Sequence, residues 1–589
     1  MKLFVFCFFV IANISNNGKA SLESFAPSSD TNFLTDTTHK SDKSCHRPCK
    51  FNVKPRRCYY NFEVEPSIHD DGPALTINGF SPGPALHACV HDIIIVQVKN
   101  KIPDQDLAIH WHGLEQRGTP YMDGVPMITQ CPINYGSTFK YAFKVSSPGT
   151  FFYHAYSVTH QSDGVYGSLI VDQPQPLEPH SSLYDYDRSQ EHTLIIGARF
   201  PELLSASLNV INDIPPSSLV INGDVKGTKI FVMQSYGYRL RLINAIGLEC
   251  PILVSINDHL MTVVASDGKP VQPVTTAAVK LYPGERMDVV VRADQTSGGY
   301  WLMAKGESAC DNLKARSMFI YSGFNYTSML EEVPSNELNY DSSSVITGQK
   351  LLSNKDVNIA NKIKSFYLGI DKNAIKVKDE DLDYRYTSDA VPKKPTYPSV
   401  LSLTDSVVQI NGKNFLFPNA PLLLKPRDVF NHIVCDVGAE EKHYDVQCLQ
   451  TLKTTNEEVE LILVNEGFNS NDSYTFHMHG YGMHVVASWQ SPAGLPLSRK
   501  EFEKLDRDGL IVRNLQNPPI KDTIAVPNKG FTIVRINPDY GGTWLLECRS
   551  CSLTLPVAIL ISTPISLPKA VVDTLPSCGS YKPADVLLH

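Results

Sequence analysis

The stretch MDVVVRA (residues 287–293) decides the fold class of this chain. Its side chains alternate between mostly apolar and mostly polar, and successive residues of a β-strand point to opposite faces, so the pattern predicts a strand with one face in a core. The apolar face comprises Met287, Val289, Val291 and Ala293, and the opposite face comprises Asp288, Val290 and Arg292. The run DIIIVQVKN (92–100) is more continuous and predicts a buried strand.

Short runs of this kind recur along the chain, separated by turns rich in Pro and Gly, and the sequence shows no long amphipathic helix. They fall into three blocks, at residues 59–173, 190–325 and 395–570. The sequence therefore predicts an all-β protein of three consecutive domains, each a β-sandwich or a Greek-key β-barrel. The polar, turn-rich segment 326–394 predicts a linker or insertion.

Composition narrows the class of protein. The 589 residues are 42% hydrophobic and 19% charged, which is typical of well-cored globular domains. The formal net charge is −8 and no basic run is present, so nucleic acid is not expected as a partner.

The N-terminus predicts secretion. MKLFVFCFFVIANISNNGKA (1–20) has a lysine, an apolar stretch and small residues near its end, which is typical of a signal peptide. The alternative of a membrane anchor is less favoured because the polar SNNGK ends the apolar run short of a bilayer span, and no later segment could form a transmembrane helix. A polar segment with cysteines (21–58) follows, and a tail (571–589) ends the chain. The sequons at Asn325 and Asn471 also suit an extracellular protein.

Cysteine usage indicates the same compartment. Of 13 cysteines, Cys7 lies in the predicted signal peptide, which leaves an even set of 12. In an oxidising compartment these cysteines are expected to form disulfides. Cys45, Cys49 and Cys58 with His46 could instead form a zinc knuckle, which is the less favoured interpretation.

Histidine motifs occur in the first and third blocks. HWH in AIHWHGLEQRGTPYMDGVPMITQCPI (108–133) and HMH in YTFHMHGYGMHVV (474–486) place two imidazoles on one face of a strand, where both can reach one metal ion. GTFFYHAYSVTHQSDGVYGSLIV (149–171) adds a fifth histidine, and imidazole suits copper, zinc and iron. The candidate metal ligands are His110, His112, His154, His477 and His479.

These stretches resemble the multicopper oxidase family, in particular insect laccases. INDHLMTVVASDGKPVQPV (256–274) resembles the family's middle domain, and KDTIAVPNKGFTIVRINPDYGGTWL (521–545) leads into its last copper motif. The resemblance implies three cupredoxin-like domains and four coppers: a type 1 copper that accepts substrate electrons, and a cluster of one type 2 and two type 3 coppers that reduces oxygen. The chain is most similar to the insect multicopper oxidase-related proteins, which depart from this copper pattern.

Only some of the positions where the resemblance places ligands of the cluster carry a histidine. Both type 2 positions are histidines, His110 and His477. One type 3 copper would keep His112 and His154, with Arg549 at its third position. The other would keep His479 alone, with Tyr156 and Glu547 at the remaining positions.

The type 1 position carries a still smaller share of its expected ligands than the cluster does. Cys548, in TWLLECRSCSLTLPVA (543–558), matches the cysteine ligand, whereas Tyr474 and Leu553 stand at the two histidine positions and Ala558 at the axial position. Blue copper requires two imidazoles beside the thiolate. Laccase-type turnover is therefore expected to be absent.

The substitutions allow several interpretations of the cluster. Glu547 and Arg549 are expected to form an ion pair, because an unpaired buried charge is costly; the alternative is that both reach water-filled space. The five histidines either persist as hydrogen-bonded packing between domains or hold one residual copper at His110 and His477. A third and least favoured hypothesis is a harder ion such as iron at Tyr156, Glu547 and His479.

Two possible disulfides and one aspartate allow further predictions. Cys548 is either a buried thiol or bonded to a nearby cysteine; a bond to Cys551 would require a bend, because residues three apart on a strand face opposite ways. The resemblance implies a disulfide between Cys89 and Cys578. Asp123 matches an acidic residue that supplies protons near the family's cluster, but without oxygen reduction a turn or capping role is favoured.

The leading hypothesis is a secreted, non-catalytic protein that binds or scaffolds an unidentified extracellular partner, with one residual copper as its only candidate cofactor. The alternative is a copper-dependent oxidoreductase with a reduced copper set, acting on phenols, ascorbate or ferrous iron. The alternative needs an electron route that bypasses type 1 copper, and the sequence contains none.

Overall fold

The structure is a computed structural model that describes residues 45–69, 72–206, 214–225, 227–330, 344–354, 363–374, 406–418, 420–426, 434–437, 447–454, 457–468, 472–551, 556–576 and 578. The predicted signal peptide, Asn471 and Leu553 lie outside these residues. The prediction of an all-β fold with three cupredoxin-like domains is confirmed.

The first domain packs two sheets around one core. Its strands are β1 (Arg57–His69), β2 (Gly72–Ile77), β3 (Leu86–Cys89), β4 (Ile93–Asn100), β5 (Ile109–His112), β6 (Thr138–Lys144), β7 (Gly149–Ala155) and β8 (Tyr166–Asp172). The sheets have the orders β2-β1-β4-β6 and β3-β8-β7-β5. Trp111 points into the core from between the two histidines of β5 and is fully buried, which leaves both imidazoles on the other face.

The second domain has the same two-layer architecture. Its strands are β9 (Thr193–Arg199), β10 (Ser218–Ile221), β11 (Lys229–Val232), β12 (Gly237–Asn244), β13 (Ile252–Ile256), β14 (Met261–Ser266), β15 (Lys269–Thr276), β16 (Ala278–Leu281), β17 (Arg286–Arg292), β18 (Gly299–Gly306), β19 (Lys314–Tyr321) and β20 (Ile346–Thr347). The sheets have the orders β10-β9-β12-β17-β14-β15 and β11-β19-β18-β13-β16-β20. Strand β17 contains most of the stretch MDVVVRA, and Met287, Val289 and Val291 lie in the core as predicted.

The third domain carries the other two candidate metal ligands, His477 and His479. Its strands are β21 (Lys364–Ala374), β22 (Ser406–Ile410), β23 (Asn414–Phe415), β24 (Val434–Asp436), β25 (Gln447–Lys453), β26 (Val459–Asn465), β27 (Tyr474–Met478), β28 (Met483–Gln490), β29 (Ile520–Lys521), β30 (Thr523–Val526), β31 (Gly530–Ile536), β32 (Gly542–Cys548) and β33 (Val557–Thr563). The sheets have the orders β22-β21-β26-β31-β28-β29 and β23-β25-β33-β32-β27-β30.

The prediction of a linker over 326–394 is wrong for part of that segment. Strand β21 pairs in parallel with β26 over seven register positions and so belongs to the third domain, and β20 pairs with β16 of the second. Both strands escaped prediction because polar residues dilute their apolar pattern, and their backbone pairing comes from distant strands.

Short helices connect the strands: α1 (Val158–Ser162), α2 (Ser189–His192), α3 (Arg499–Arg507) and α4 (Lys569–Thr574). Helix α3 begins with a capping box in which the Ser498 side chain accepts from the Glu501 backbone N–H and the Glu501 side chain accepts from the Ser498 backbone N–H. None of the described helices is long and apolar enough to cross a membrane.

Six disulfides join described cysteines, which confirms the disulfide prediction. They are Cys45–Cys58, Cys49–Cys89, Cys131–Cys578, Cys250–Cys310, Cys435–Cys448 and Cys548–Cys551. The pairing of Cys89 with Cys578 is therefore wrong: Cys89 ends β3 beside the N-terminal segment, and the C-terminus is instead joined to the first domain through Cys131. The zinc knuckle is also excluded, because its three cysteines are in disulfides.

Candidate metal centre

The five candidate histidines meet at the interface between the first and third domains. His110 and His112 lie on β5, His154 lies opposite His110 on β7, and His477 is on β27 with His479 directly after that strand. Each is at most 3% exposed. Within each H-x-H pair the alternation of the strand turns both rings toward the interface, as the motif predicts.

Backbone carbonyls set the tautomers of His110 and His477. Nδ1 of His110 donates to the Asp123 carbonyl at 2.8 Å, and Nδ1 of His477 donates to the Asp522 carbonyl at 3.0 Å. In the neutral ring the other nitrogen then carries a lone pair. These two Nε2 atoms face each other at 3.2 Å, so neither can donate to the other.

The same situation recurs at His112 and His154. Nδ1 of His154 donates to the Ala155 carbonyl at 2.8 Å. Nε2 of His112 donates to the Thr523 hydroxyl at 2.9 Å, which itself donates to Asp522. The lone pairs on Nδ1 of His112 and Nε2 of His154 face each other at 3.2 Å.

Facing lone pairs fit a bound cation. Two nitrogens that each lie about 2.0–2.1 Å from a tetrahedral metal are about 3.3 Å apart, close to both separations. Burial and the neighbouring imidazoles hold the pKa of His110 well below its usual range, and burial does the same for His112 and His154. The facing ring nitrogens are therefore not protonated at neutral pH. A cavity of about 20 Å³, enough for about one water, touches His112, His154 and His477.

His479 does not share this chemistry. Its Nδ1 is 2.8 Å from Oδ2 of Asp123, and its Nε2 is 3.0 Å from Oε1 of Glu547, so both nitrogens donate. Burial opposes the charge, but the two carboxylates more than offset it and raise the pKa of His479 to about 9. A ring protonated on both nitrogens has no lone pair for a metal.

Asp123 has the expected turn role, because its backbone N–H caps the short 3-10 turn Pro120–Met122 by donating to the Pro120 carbonyl, and its side chain makes a further contact. It is fully buried, and its carboxylate pairs with the imidazolium of His479. The family resemblance places Asp123 near the cluster, but its pairing with His479 could not be predicted from local patterns, because the two residues are 356 positions apart and in different domains.

Glu547 and Arg549 form the predicted ion pair, with Nη1 of Arg549 3.3 Å from Oε1 of Glu547. Glu547 also accepts from the Tyr156 hydroxyl at 2.6 Å, and Arg549 donates to the Tyr156 carbonyl at 2.6 Å and the Gln161 side chain at 3.0 Å. Although burial opposes ionisation, His479 and Arg549 hold the pKa of Glu547 well below its usual range. Asp123, His479, Glu547 and Arg549 thus form a neutral chain of alternating charges. Both carboxylate oxygens of Glu547 have partners in this chain, so neither is free to bind a hard ion at Tyr156, Glu547 and His479.

The residues at the type 1 position do not fit copper. Cys548 is bonded to Cys551, so it offers no thiolate. Strand β32 ends at Cys548 and a turn follows, which supplies the bend that this disulfide requires. Tyr474 and Ala558, which stand at two further ligand positions, are buried, and neither side chain is an imidazole.

A set of charged side chains joins the second and third domains, and local sequence patterns do not predict it. Arg286 donates to both carboxylate oxygens of Asp522, at 2.7 and 2.5 Å, and the Asp522 backbone carbonyl orients His477. Lys521 lies 2.8 Å from Asp267 and 2.9 Å from Glu285. The sequence KDT (521–523) offered the only signal, a charged pair just before an apolar strand.

Three two-layer β-domains with buried histidines between the first and third define a cupredoxin-type metalloprotein architecture. Profiles described as multicopper oxidase match residues 61–176, 198–323 and 418–550. The chain belongs to the multicopper oxidase family.

Curated relatives and solved structures agree with this assignment. The chain is 28% identical to laccase-2 of Botryotinia fuckeliana, over 85% of this chain and 80% of that protein. It is 26% identical to L-ascorbate oxidase of Cucurbita maxima, over 83% and 87%. Its fold resembles Fet3p, a multicopper oxidase that functions in iron import, with a TM-score of 0.70 and 20% identity over 88% of this chain and 94% of that one. A laccase from Botrytis aclada gives a TM-score of 0.67 and 22% identity over 89% and 92%.

The charge on His479 predicts a pH dependence of stability. Its pKa is about 9 in the folded protein and about 6.5 unfolded, so the stabilisation is complete below pH 6.5 and is lost as the pH rises through 9. The loss is on the order of 3 kcal/mol. Urea unfolding at pH 6.5 and 9.5 should show it, and the loss should be smaller in His479→Gln. Equal pH dependence in the two proteins would contradict the assignment of the charge to His479.

Proposed function

We propose that this protein keeps the multicopper oxidase scaffold without the type 1 copper and acts as a non-catalytic extracellular binding or scaffold protein. The observation that carries the proposal is the disulfide between Cys548 and Cys551. It removes the thiolate at the position through which family members receive substrate electrons. Tyr474 and Ala558, which stand at two further ligand positions, supply no imidazole.

The charge chain supports the same proposal. Where the resemblance places type 3 ligands, this protein has a carboxylate, a guanidinium and a protonated imidazole that satisfy one another. Guanidinium has no lone pair for a metal and repels a cation. Arg549 and His479 therefore supply positive charge inside the cluster that metal ions supply in an intact site.

Extracellular location is part of the proposal. Six disulfides are typical of proteins that fold in an oxidising compartment. The sequon asparagine Asn325 is exposed, as glycosylation would require.

A second candidate function, a residual copper-dependent oxidoreductase, is favoured by the facing lone pairs. His110 and His477 would hold one copper ion, and His112 and His154 offer a second pair of nitrogens. Bound copper would supply a one-electron redox centre and a site for oxygen. The chain's own residues orient these rings through the carbonyls of Asp123, Asp522 and Ala155.

Metal content tests both candidates. Protein secreted from copper-supplemented cells should contain at most one copper per chain, show no blue type 1 absorption and not oxidise phenols, ascorbate or ferrous iron. Any type 2 signal in electron paramagnetic resonance should disappear in His477→Ala but persist in the control His69→Ala, which lies outside the cluster. A type 1 signal would overturn the proposed function, and oxidation that depends on His477 would establish the second candidate.

A further inference from the structure

The sequence CRSC (548–551) closes a small disulfide loop at the end of β32. The strand stops at Cys548, the turn brings the two Cα atoms to 5.4 Å, and the sulfurs are bonded. Cys548 is 3% exposed, whereas Cys551 is only partly buried. An incoming thiol therefore has better access to the sulfur of Cys551.

The carboxyl group of Glu249, in the second domain, contacts this loop. Ser550 donates its hydroxyl to Oε2 of Glu249 at 2.5 Å, and the same hydroxyl oxygen is 3.9 Å from Sγ of Cys548. Thr475 donates to the other oxygen of Glu249 at 3.0 Å. Burial raises the pKa of Glu249 to about 7, although the bonds from Ser550 and Thr475 oppose the rise. Glu249 can therefore give or accept a proton near neutral pH.

Loop length separates this disulfide from the other five. Its cysteines are three positions apart, whereas the others are separated by 13 to 447 positions. A disulfide that closes a short loop restricts the unfolded chain least, so its reduction costs the fold least. The loop can open while the rest of the protein stays folded.

We propose that Cys548 and Cys551 form a reversible dithiol–disulfide couple that exchanges with low-molecular-weight thiols, with Glu249 as the proton donor and acceptor through Ser550. This activity goes beyond the proposed scaffold role and involves no copper. C-x-x-C pairs are a common arrangement for such exchange.

The exchange balances as two substitutions at sulfur. A thiolate attacks Sγ of Cys551, the bond between the two cysteines breaks, and the sulfur of Cys548 leaves and takes a proton from Glu249 through Ser550. A second thiolate then attacks the small-molecule sulfur of the mixed disulfide, which releases the oxidised small-molecule disulfide, and Cys551 leaves as a thiolate that takes a proton from solvent. The protein disulfide gains two electrons and two protons, two thiols are oxidised to one disulfide, and solvent returns the proton to Glu249.

The couple is tested on the intact, fully oxidised chain in glutathione buffers of graded ratio. After an acid quench, alkylation and peptide mass mapping should show Cys548 and Cys551 labelled together and reversibly, while the other ten described cysteines stay bonded and the circular dichroism is unchanged. The proposal is overturned if this pair stays unlabelled until the protein unfolds, or if another disulfide opens at the same ratio.

The proton relay has its own test. Glu249→Gln should slow reduction of the loop on the order of 100-fold, a typical contribution of general acid–base catalysis, and Ser550→Ala should have a similar effect. Glu307→Gln, in the same domain but paired with Lys280 at the surface, should leave the rate unchanged. An unchanged rate in both relay variants would remove Glu249 and Ser550 from the mechanism. Failure of either test leaves the scaffold proposal standing, since that proposal is judged by copper content.

Discussion

Replacing Glu547 with alanine is expected to destabilise the protein by about 3–5 kcal/mol, the usual cost of leaving buried charges without a partner. The variant removes the carboxylate that lies 3.0 Å from His479 and 3.3 Å from Arg549. Among the described residues Arg549 would keep backbone and amide acceptors, and the hydrogen bond from the Tyr156 hydroxyl to Glu547 would be lost. Urea unfolding followed by tryptophan fluorescence measures the loss, because Trp544 is buried on the same strand.

A matched carboxylate separates the effect of burial from that of charge. Asp539 also pairs with an arginine, Arg117, but both side chains are about half exposed. Exposed pairs contribute little, so Asp539→Ala should unfold close to the wild type. If Glu547→Ala were as mild as Asp539→Ala, the charge chain would not stabilise the junction of the first and third domains.

Replacing Lys521 with methionine is expected to have an effect of similar size, about 3–5 kcal/mol, at a different interface. Lys521 comes from the third domain and is the cation between Asp267 and Glu285 of the second, at 2.8 and 2.9 Å, with all three side chains at most 1% exposed. Although burial disfavours the charge, the two carboxylates raise the pKa of Lys521. Methionine would fill the space but leave two carboxylates in an apolar environment with too little positive charge.

Limited proteolysis and urea unfolding measure this change, since the second and third domains should separate more readily. The control is Lys453→Met, which removes a lysine that is 70% exposed and 3.6 Å from Asp436, and little change is expected there. Unchanged proteolysis of Lys521→Met would show that Arg286 and Asp522 hold the two domains together without it.

Much of the scaffold was predictable because local sequence patterns determine it. The alternation in 287–293 predicted a strand, the H-x-H spacing predicted rings on one face, and the even cysteine count predicted disulfides. The ion pair of Glu547 and Arg549 was also predictable, because two opposite charges two residues apart on a buried strand must be compensated. In contrast, β21 lies in a segment that the local sequence pattern predicts to be linker, because its pairing with β26 depends on residues about 95 positions away.

The sequence by itself determined the family scaffold, the five histidines and the residue types at the positions where the resemblance places type 1 ligands, because these follow from residue type and short-range spacing. Only the tertiary structure decided how those residues behave. Asp123 and Glu547 converge on His479 and keep it charged, whereas carbonyls of Asp123 and Asp522 leave His110 and His477 with facing lone pairs. The turn after β32 joins Cys548 to Cys551, and a carboxylate from the second domain reaches that loop. Protonation and bonding depend on which groups meet in a buried space, and the chain brings these together from positions hundreds of residues apart.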